Sequence, residues 1–158
     1  MWFRPLGVVE PGNGFIRNGG GVTGTPDNGT ACVQTSLGDS LVFSFTNGGL
    51  FDLLSVDLGE YSTVVPDAAA VRFIGYRPDG STVTRNLTTD GIIDGTGPLP
   101  DFQTFAFTGF TGLSRVEVPG FGWSLDNLRV TPVPEPATGV LVFAGGVAVL
   151  VGRVRRPS

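Results

Sequence analysis

Apolar and polar residues alternate along much of residues 31–131, a pattern typical of half-buried β-strands. Clusters of glycine, proline and asparagine separate the alternating runs, as expected for turns between short strands. Before residue 132 no run shows the helical period of about 3.6 residues. The pattern therefore predicts about eight strands, which we place at residues 30–34, 41–46, 50–58, 69–77, 82–87, 101–108, 113–118 and 123–130.

A tight turn is predicted between the strands at 69–77 and 82–87. Pro78 presets the backbone of the first central position, and Gly80 tolerates the left-handed conformation that such a turn requires. Residues 77–81 therefore form the best hairpin signal in the chain.

The strand at 123–130 changes phase in its middle. Leu125 and Leu128 lie three residues apart, so they cannot share one face of a regular strand. A bulge at Asp126 and Asn127 would return both leucines to the same side of the sheet.

The body of the chain divides into a glycine- and proline-rich segment at residues 1–30 and a strand-rich domain at residues 31–131. Residues 11–30 have the composition of loop almost throughout. Many short strands with turns between them favour an all-β fold, and we predict an antiparallel, jelly-roll-like β-sandwich. In the strand at 50–58, one face is expected to carry Leu54, Val56 and Leu58.

Residues 132–158 have a different character. The motif Val133-Pro134-Glu135-Pro136 is followed by an uncharged apolar run at 137–152 and by Arg153, Arg155 and Arg156. As a helix the run would be about 24 Å long, slightly short for a bilayer core of about 30 Å. A buried core segment is the alternative, but the run has no polar face and ends in like charges. We predict a single C-terminal transmembrane helix with the arginines on the cytoplasmic side.

The order of these three parts resembles the PEP-CTERM sorting signal, which is also labelled an ice-binding protein C-terminal domain. The resemblance implies export in a Gram-negative bacterium that produces exopolysaccharide, and processing by a membrane protease-transpeptidase called exosortase. It implies that Pro134, Glu135 and Pro136 are the recognised residues. The body is similar to a β-sandwich found ahead of such tails, and this similarity names no activity.

Proteins with this signal carry an N-terminal signal peptide. Residues 1–10 contain one basic residue, Arg4, and no apolar stretch of seven or more residues. The explanations are a truncated chain, a misassigned start, or a protein that is not exported. We expect one of the first two.

Charge and histidine content exclude several classes of function. Residues 1–132 carry 13 acidic residues against 7 arginines, a net charge of −6, which repels nucleic acid. The chain has no histidine, which removes Ser-His-Asp triads, histidine metal sites and histidine bases. Cys32 is the single cysteine, and we expect a small buried apolar side chain there because a catalytic thiol would lack its histidine.

Asp126 is the candidate metal ligand. Jelly-roll carbohydrate-binding modules often hold a structural calcium with an aspartate of the final strand and oxygens of the N-terminal segment. Here Glu10, Asn13 and nearby backbone carbonyls could complete a set of about six to eight oxygen ligands. The alternative is that Asp126 and Asn127 only satisfy backbone donors within a bulge.

Sugar binding would require an exposed aromatic ring with polar neighbours. The candidate rings in the body are Tyr61, Tyr76 and Trp123. A glycosidase would require two facing carboxylates. The acids of the body offer many pairs without a diagnostic context: Asp52, Asp57, Glu60, Asp90, Asp94 and Asp101.

These observations predict an exported, non-enzymatic structural or interaction protein of the cell envelope or extracellular matrix. The tail would anchor it transiently in the inner membrane, and no cofactor is expected beyond the candidate calcium. Its expected partners are exosortase, membrane lipid and exopolysaccharide, and not nucleic acid. A carbohydrate-binding module with a structural calcium is the alternative, and a small polysaccharide hydrolase is the third hypothesis.

Overall fold

The computed structural model describes residues 1–6, 15–18, 26, 30–35, 40–62, 64, 67–92 and 102–134. Within these residues the chain forms strands and no helix. The strands are β1 (Trp2–Leu6), β2 (Phe15–Asn18), β3 (Cys32–Thr35), β4 (Ser40–Ser44), β5 (Phe51–Glu60), β6 (Ala70–Tyr76), β7 (Thr82–Thr88), β8 (Phe102–Ala106), β9 (Arg115–Val118) and β10 (Trp123–Pro132). In this part of the chain, no helix has the length and apolarity to cross a bilayer.

The strands form two five-stranded antiparallel sheets, which confirms the predicted all-β sandwich. Sheet A has the order β1-β4-β9-β6-β7, and sheet B has the order β2-β3-β10-β5-β8. The pairs β3/β10, β4/β9, β5/β8 and β6/β7 nest inside one another, like a long hairpin that has been rolled up. This nesting of eight successive strands is the jelly-roll arrangement.

Sequence alternation does not predict two of the strands. β1 precedes residues 11–30 and β2 lies within them, where the composition indicates loop. β1 pairs with β4, and β2 pairs with β3, so each adds an edge strand to one sheet. β1 contains Pro5, and Gly14 and Gly19 flank β2, so both segments carry residues that indicate turns rather than strands.

One apolar core fills the space between the sheets. Phe107 contacts Phe73 at 4.9 Å and Phe110 at 4.7 Å between ring centroids, both edge to face. Such pairs contribute about 0.5–1.5 kcal/mol beyond the area that they bury. Cys32 is buried, as expected. The largest fully buried side chains are Trp123, Phe43, Phe51, Phe73 and Phe110.

The predicted hairpin joins β6 to β7. Arg77 N donates to Ser81 O at 2.9 Å, and Gly80, with a φ of 83°, donates its N–H to Arg77 O at 3.1 Å. Asp79 Oδ1 accepts a hydrogen bond from Ser81 N at 2.9 Å. The Ser81 hydroxyl, and then its backbone amide, hold the pKa of Asp79 below its ordinary value. The exposed carboxylate therefore helps to close the turn.

The predicted bulge lies in β10. The register between β10 and β5 shifts after Asp126, and Asn127 has a positive φ of 46°. Leu125 is buried and Leu128 packs against the core. The bulge therefore turns both leucines inwards, as the sequence pattern requires.

The predicted phase of β5 is wrong at Leu54, whose side chain is 46 % exposed. Leu53 faces Val130 and Ser55 faces Arg129, so the ladder with β10 skips Leu54. This irregularity switches the inward positions of β5 from odd to even residue numbers. The large apolar residues of the strand that are buried are consequently Phe51, Leu53, Val56 and Leu58.

The sandwich has two ends with different loops. The exit end, at which the chain leaves β10, comprises residues 45–50, 77–81, 107–114 and 133–134. The far end comprises the described residues 61–62, 64, 67–69, 89–92 and 119–122. β10 connects the two ends, and its ten residues span about 33 Å at about 3.3 Å per residue.

Candidate functional site

The last described residues join the sandwich directly to the C-terminal motif. β10 pairs with β5 as far as Pro132, which lies opposite Phe51. Val133 N then donates to Leu50 O at 2.9 Å. Pro134 follows immediately and is exposed. The described part of the sandwich therefore reaches the first proline of the predicted sorting motif.

The rest of the predicted tail lies outside the described residues. The transmembrane helix at 137–152 consequently stays a prediction. The same holds for the motif residues Glu135 and Pro136 and for the flanking residues Arg153, Arg155 and Arg156.

A polar cleft of about 460 Å³ lies on the outer face of sheet B. The bulge of β10 brings Asn127 over β5, where its Nδ2 donates to Asp57 Oδ2 at 2.8 Å. The hydroxyl of Thr104 in β8 donates to Asp57 Oδ1 at 2.6 Å. Both oxygens of Asp57 are thereby held in place. The cleft is lined by Ser55, Asp57, Thr104, Asn127, Leu128 and Arg129.

Asp126 lies directly opposite Asp57 in the ladder between β10 and β5. Its Oδ2 accepts a hydrogen bond from the Thr30 hydroxyl at 2.5 Å, and its Oδ1 accepts one from Asn127 N at 2.7 Å. Like charges that face each other across a strand pair are destabilising, so these donors stabilise the pair. The fold thus assembles a carboxylate pair that the sequence does not single out.

The predicted calcium ligands are only partly visible. Asp126 contacts Thr30 in the segment before β3, but Glu10 and Asn13 lie outside the described residues. Among the residues that the structure describes, no three Asp, Glu or Cys side chains are grouped so that they could hold a metal ion. Calcium at Asp126 remains a hypothesis.

The three candidate aromatic residues are not brought together. Trp123 is fully buried in the core, so it cannot serve as an exposed sugar platform, and its Nε1 has no hydrogen-bond partner within the described part of the chain. Tyr76 is half-buried, and the Arg115 guanidinium lies 3.9 Å from its ring centroid. Tyr61, which is 42 % exposed, is the one of the three with an open ring.

A buried polar network holds the far end. Gln34 Nε2 donates to Ser124 Oγ at 2.7 Å and to Tyr61 O at 2.8 Å. The Ser124 hydroxyl donates to Glu60 O at 2.8 Å. Alternation predicts that these positions lie on strands, but it does not predict which polar side chains become buried and meet.

Two further contacts fix the neighbouring loop of the far end. Glu60 Oε1 accepts a hydrogen bond from Gly91 N at 2.9 Å, and Thr89 Oγ1 accepts one from Ala69 N at 2.8 Å. Most of the exposed large apolar residues of the described chain lie on the loops of the far end: Tyr61, Val64, Ile92 and Phe121.

Comparison with known families identifies the tail. Residues 132–156 match the PEP-CTERM protein-sorting motif. The match begins at Pro132, where β10 ends, and therefore covers the signal and not the sandwich. No curated protein sequence matches the chain. The chain thus carries an exosortase-type sorting signal, which indicates export and transient anchoring in the membrane, and this signal follows the last strand of the jelly roll without a separate linker domain.

Proposed function

We propose that this protein is a non-catalytic β-sandwich that exosortase delivers to the cell envelope or extracellular matrix, where it has a structural or interaction role. The observation that carries the proposal is the sorting motif at residues 132–156. The motif supports export and names exosortase as the processing partner. The destination in the matrix and the absence of catalysis are our additions.

Membrane lipid is the second partner in this proposal. The uncharged run at 137–152 would enter the bilayer, and Arg153, Arg155 and Arg156 would keep its end on the cytoplasmic side. Exosortase would then act on a chain whose sandwich already lies outside the cytoplasm.

The hydrogen bonding of the acids supports a non-catalytic role. Within the described residues, Asp57 and Asp126 face each other, and each accepts two hydrogen bonds from neighbouring protein groups. The chain also has no histidine that could act as a base. Stabilisation of the bulge at Asn127 is therefore a sufficient role for both acids.

Fractionation of native cells tests the proposal. Three chains are compared: the full-length chain, a chain without residues 137–158, and a Glu135→Ala variant that keeps the apolar run. We expect the full-length gene product in the envelope or outside the cell, and the truncated chain to lose its membrane retention. Glu135→Ala should accumulate unprocessed in the inner membrane. A full-length chain that is freely dissolved in the cytosol would contradict the proposal.

The cleft on sheet B favours carbohydrate binding as an alternative function. Its lining combines a carboxylate, an amide, a guanidinium and hydroxyl groups, which are the polar groups that orient ligands in binding sites. Exopolysaccharide would be the ligand. Affinity electrophoresis in gels that contain the host exopolysaccharide should show retardation that Arg129→Ala removes. Arg72→Ala, an exposed arginine on sheet A, is the matched control and should keep it.

A structural calcium at Asp126 belongs to the same alternative, because the Thr30 contact ties the final-strand acid to the segment before β3. Calcium should raise the melting temperature of the wild type but not that of Asp126→Ala. Asp67→Ala, which removes an exposed acid of the far end, should keep the effect. A calcium effect that persists in Asp126→Ala would exclude this site.

A further inference from the structure

We propose that the exit end of the sandwich rests on the lipid headgroup layer, so that the far end points away from the membrane. The inference rests on the proposed function, because it takes residues 137–152 to lie in the bilayer. Three features favour this orientation: the short tether, the charges of the two ends and the composition of their surfaces.

The tether is short because the sandwich holds the chain as far as Val133, whose N–H donates to Leu50 O at 2.9 Å. The apolar run starts at Ala137, and the four links between these residues span at most about 14 Å. The interfacial layer on each side of a bilayer is about 5–8 Å thick. The exit end can therefore rise no more than about 10 Å above the headgroups.

The apolar run at 137–152 does not lengthen this tether. Its 16 residues would form a helix of about 24 Å, whereas the hydrocarbon core is about 30 Å thick. A span that is shorter than the core draws its flanking residues towards the interface. Pro134 and Pro136 are therefore pulled towards the headgroups rather than held above them.

The exit end is mainly polar, and hydrogen bonds join its loops. Arg77 Nε donates to Thr111 O at 3.0 Å, and its Nη2 donates to Gly109 O at 2.8 Å. These bonds tie the turn at 77–81 to the loop at 107–114. Among the exposed large apolar residues of the described chain, Met1 lies at this end, since the adjacent Trp2 pairs with Ser44, and Leu54 borders it. The other four lie at the far end: Tyr61, Val64, Ile92 and Phe121. Such a surface suits the hydrated headgroup layer and not the hydrocarbon core.

The charges of the two ends favour the same orientation. Arg77 and the neighbouring Arg115 balance Asp52 and Asp79 near the exit end. The far end and its border carry Glu60, Asp67 and Asp90, with no arginine among the described residues. An anionic headgroup layer would therefore repel the far end more strongly than the exit end.

This orientation gives the far end a role. Its loops would stand up to about 33 Å farther from the bilayer, the length of β10. The apolar side chains exposed there would meet matrix components first, and the buried Gln34–Ser124 network keeps Tyr61 in position. The cleft on sheet B would open sideways.

Depth-dependent quenching tests the orientation on the full-length chain in phosphatidylethanolamine–phosphatidylglycerol vesicles. A fluorophore is attached to Thr108→Cys at the exit end or to Asp67→Cys at the far end, in a Cys32→Ser background. A spin label on the lipid headgroup should quench the fluorophore at residue 108 at least several-fold more than the one at residue 67. A twelve-residue glycine–serine insertion between Val133 and Pro134 should remove most of this difference.

Vesicle flotation separates the possible failures. A chain that does not float with the vesicles contradicts the proposed anchor, and the orientation with it. A chain that floats but shows equal quenching at both positions overturns the orientation alone. Protection of residue 108 that appears only when exosortase is present would assign the exit end to the enzyme and overturn its assignment to lipid.

Discussion

Asn127 organises the polar cleft through both its backbone and its side chain. Its φ of 46° lies in the left-handed region, which costs most residues about 1–2 kcal/mol but is better tolerated by asparagine. Its Nδ2 donates to Asp57, and its backbone N–H donates to Asp126. One residue therefore both permits the bulge and connects the two acids that face each other.

Two substitutions at Asn127 separate these contributions. Asn127→Gly and Asn127→Ala both lose the side-chain hydrogen bond to Asp57, which we expect to cost about 0.5–1.5 kcal/mol. Only Asn127→Ala also retains a Cβ in the left-handed region, so it should be less stable than Asn127→Gly by about 1 kcal/mol. Chemical denaturation measures the difference. Equal stability of the two variants would show that the bulge relaxes in the absence of asparagine.

Gly75 in β6 is a site where a single methyl group is too large. A Cβ built there would lie 2.9 Å from Leu113 Cδ2 and 2.9 Å from Val83 Cγ1. Gly75→Ala should therefore reduce the free energy of unfolding by about 1–3 kcal/mol. The double variant Gly75→Ala/Val83→Ala removes one of the two clashes. If overpacking is the cause, it should cost less than the sum of the single substitutions, and strict additivity would contradict this reason.

At the scale of elements, predictability followed local turn chemistry and the phase of apolar residues. The hairpin from β6 to β7 was predictable because Pro78 and Gly80 determine its turn locally. The bulge of β10 was predictable because Leu125 and Leu128 are out of phase. β1 and β2 were not predictable, since their burial depends on the partner strands β4 and β3. The irregularity at Leu54 was hidden because leucines occupy both candidate phases.

The turn between β6 and β7 should respond to acid. The hydrogen bonds from Ser81 lower the folded-state pKa of Asp79. The ionised carboxylate therefore stabilises the turn above the unfolded-state pKa, and this stabilisation is lost as the pH falls through the folded-state pKa. At neutral pH, Asp79→Asn should reduce the hydrogen-exchange protection of the Arg77 and Gly80 amides. Well below the ordinary value of 3.8 the two proteins should converge. Asp67→Asn is the control, and a difference that persists in acid would contradict this account.

At the scale of the whole molecule, the two candidate sites differ in how far the sequence predicts them. The sorting signal is contiguous, so its motif, apolar run and arginines can be read in order. The cleft combines Asp57, Thr104 and Asn127 from three strands. Their meeting depends on the register of β5 with β8 and β10. Alternation predicts which face a residue occupies but not its cross-strand neighbour, so the acid pair emerged only from the fold.

The junction between the last strand and the sorting signal is short. The sheet ends at Pro132 and the backbone hydrogen bond of Val133 closes it, so the sandwich presents the motif without a long spacer. Exosortase would therefore meet the motif directly beside a folded domain. The protein is thus a small exported domain whose sorting signal directly follows its last strand.

The central claim is that exosortase processes this tail on an exported chain, and intact-mass spectrometry tests it most directly. The protein is purified from envelope, external and cytosolic fractions of native cells with and without exosortase. We predict that the species outside the cytoplasm lacks Arg153, Arg155 and Arg156 when exosortase is present, and keeps them at the membrane when it is absent. A chain with all three arginines, recovered from the cytosol whether or not exosortase is present, would contradict the account.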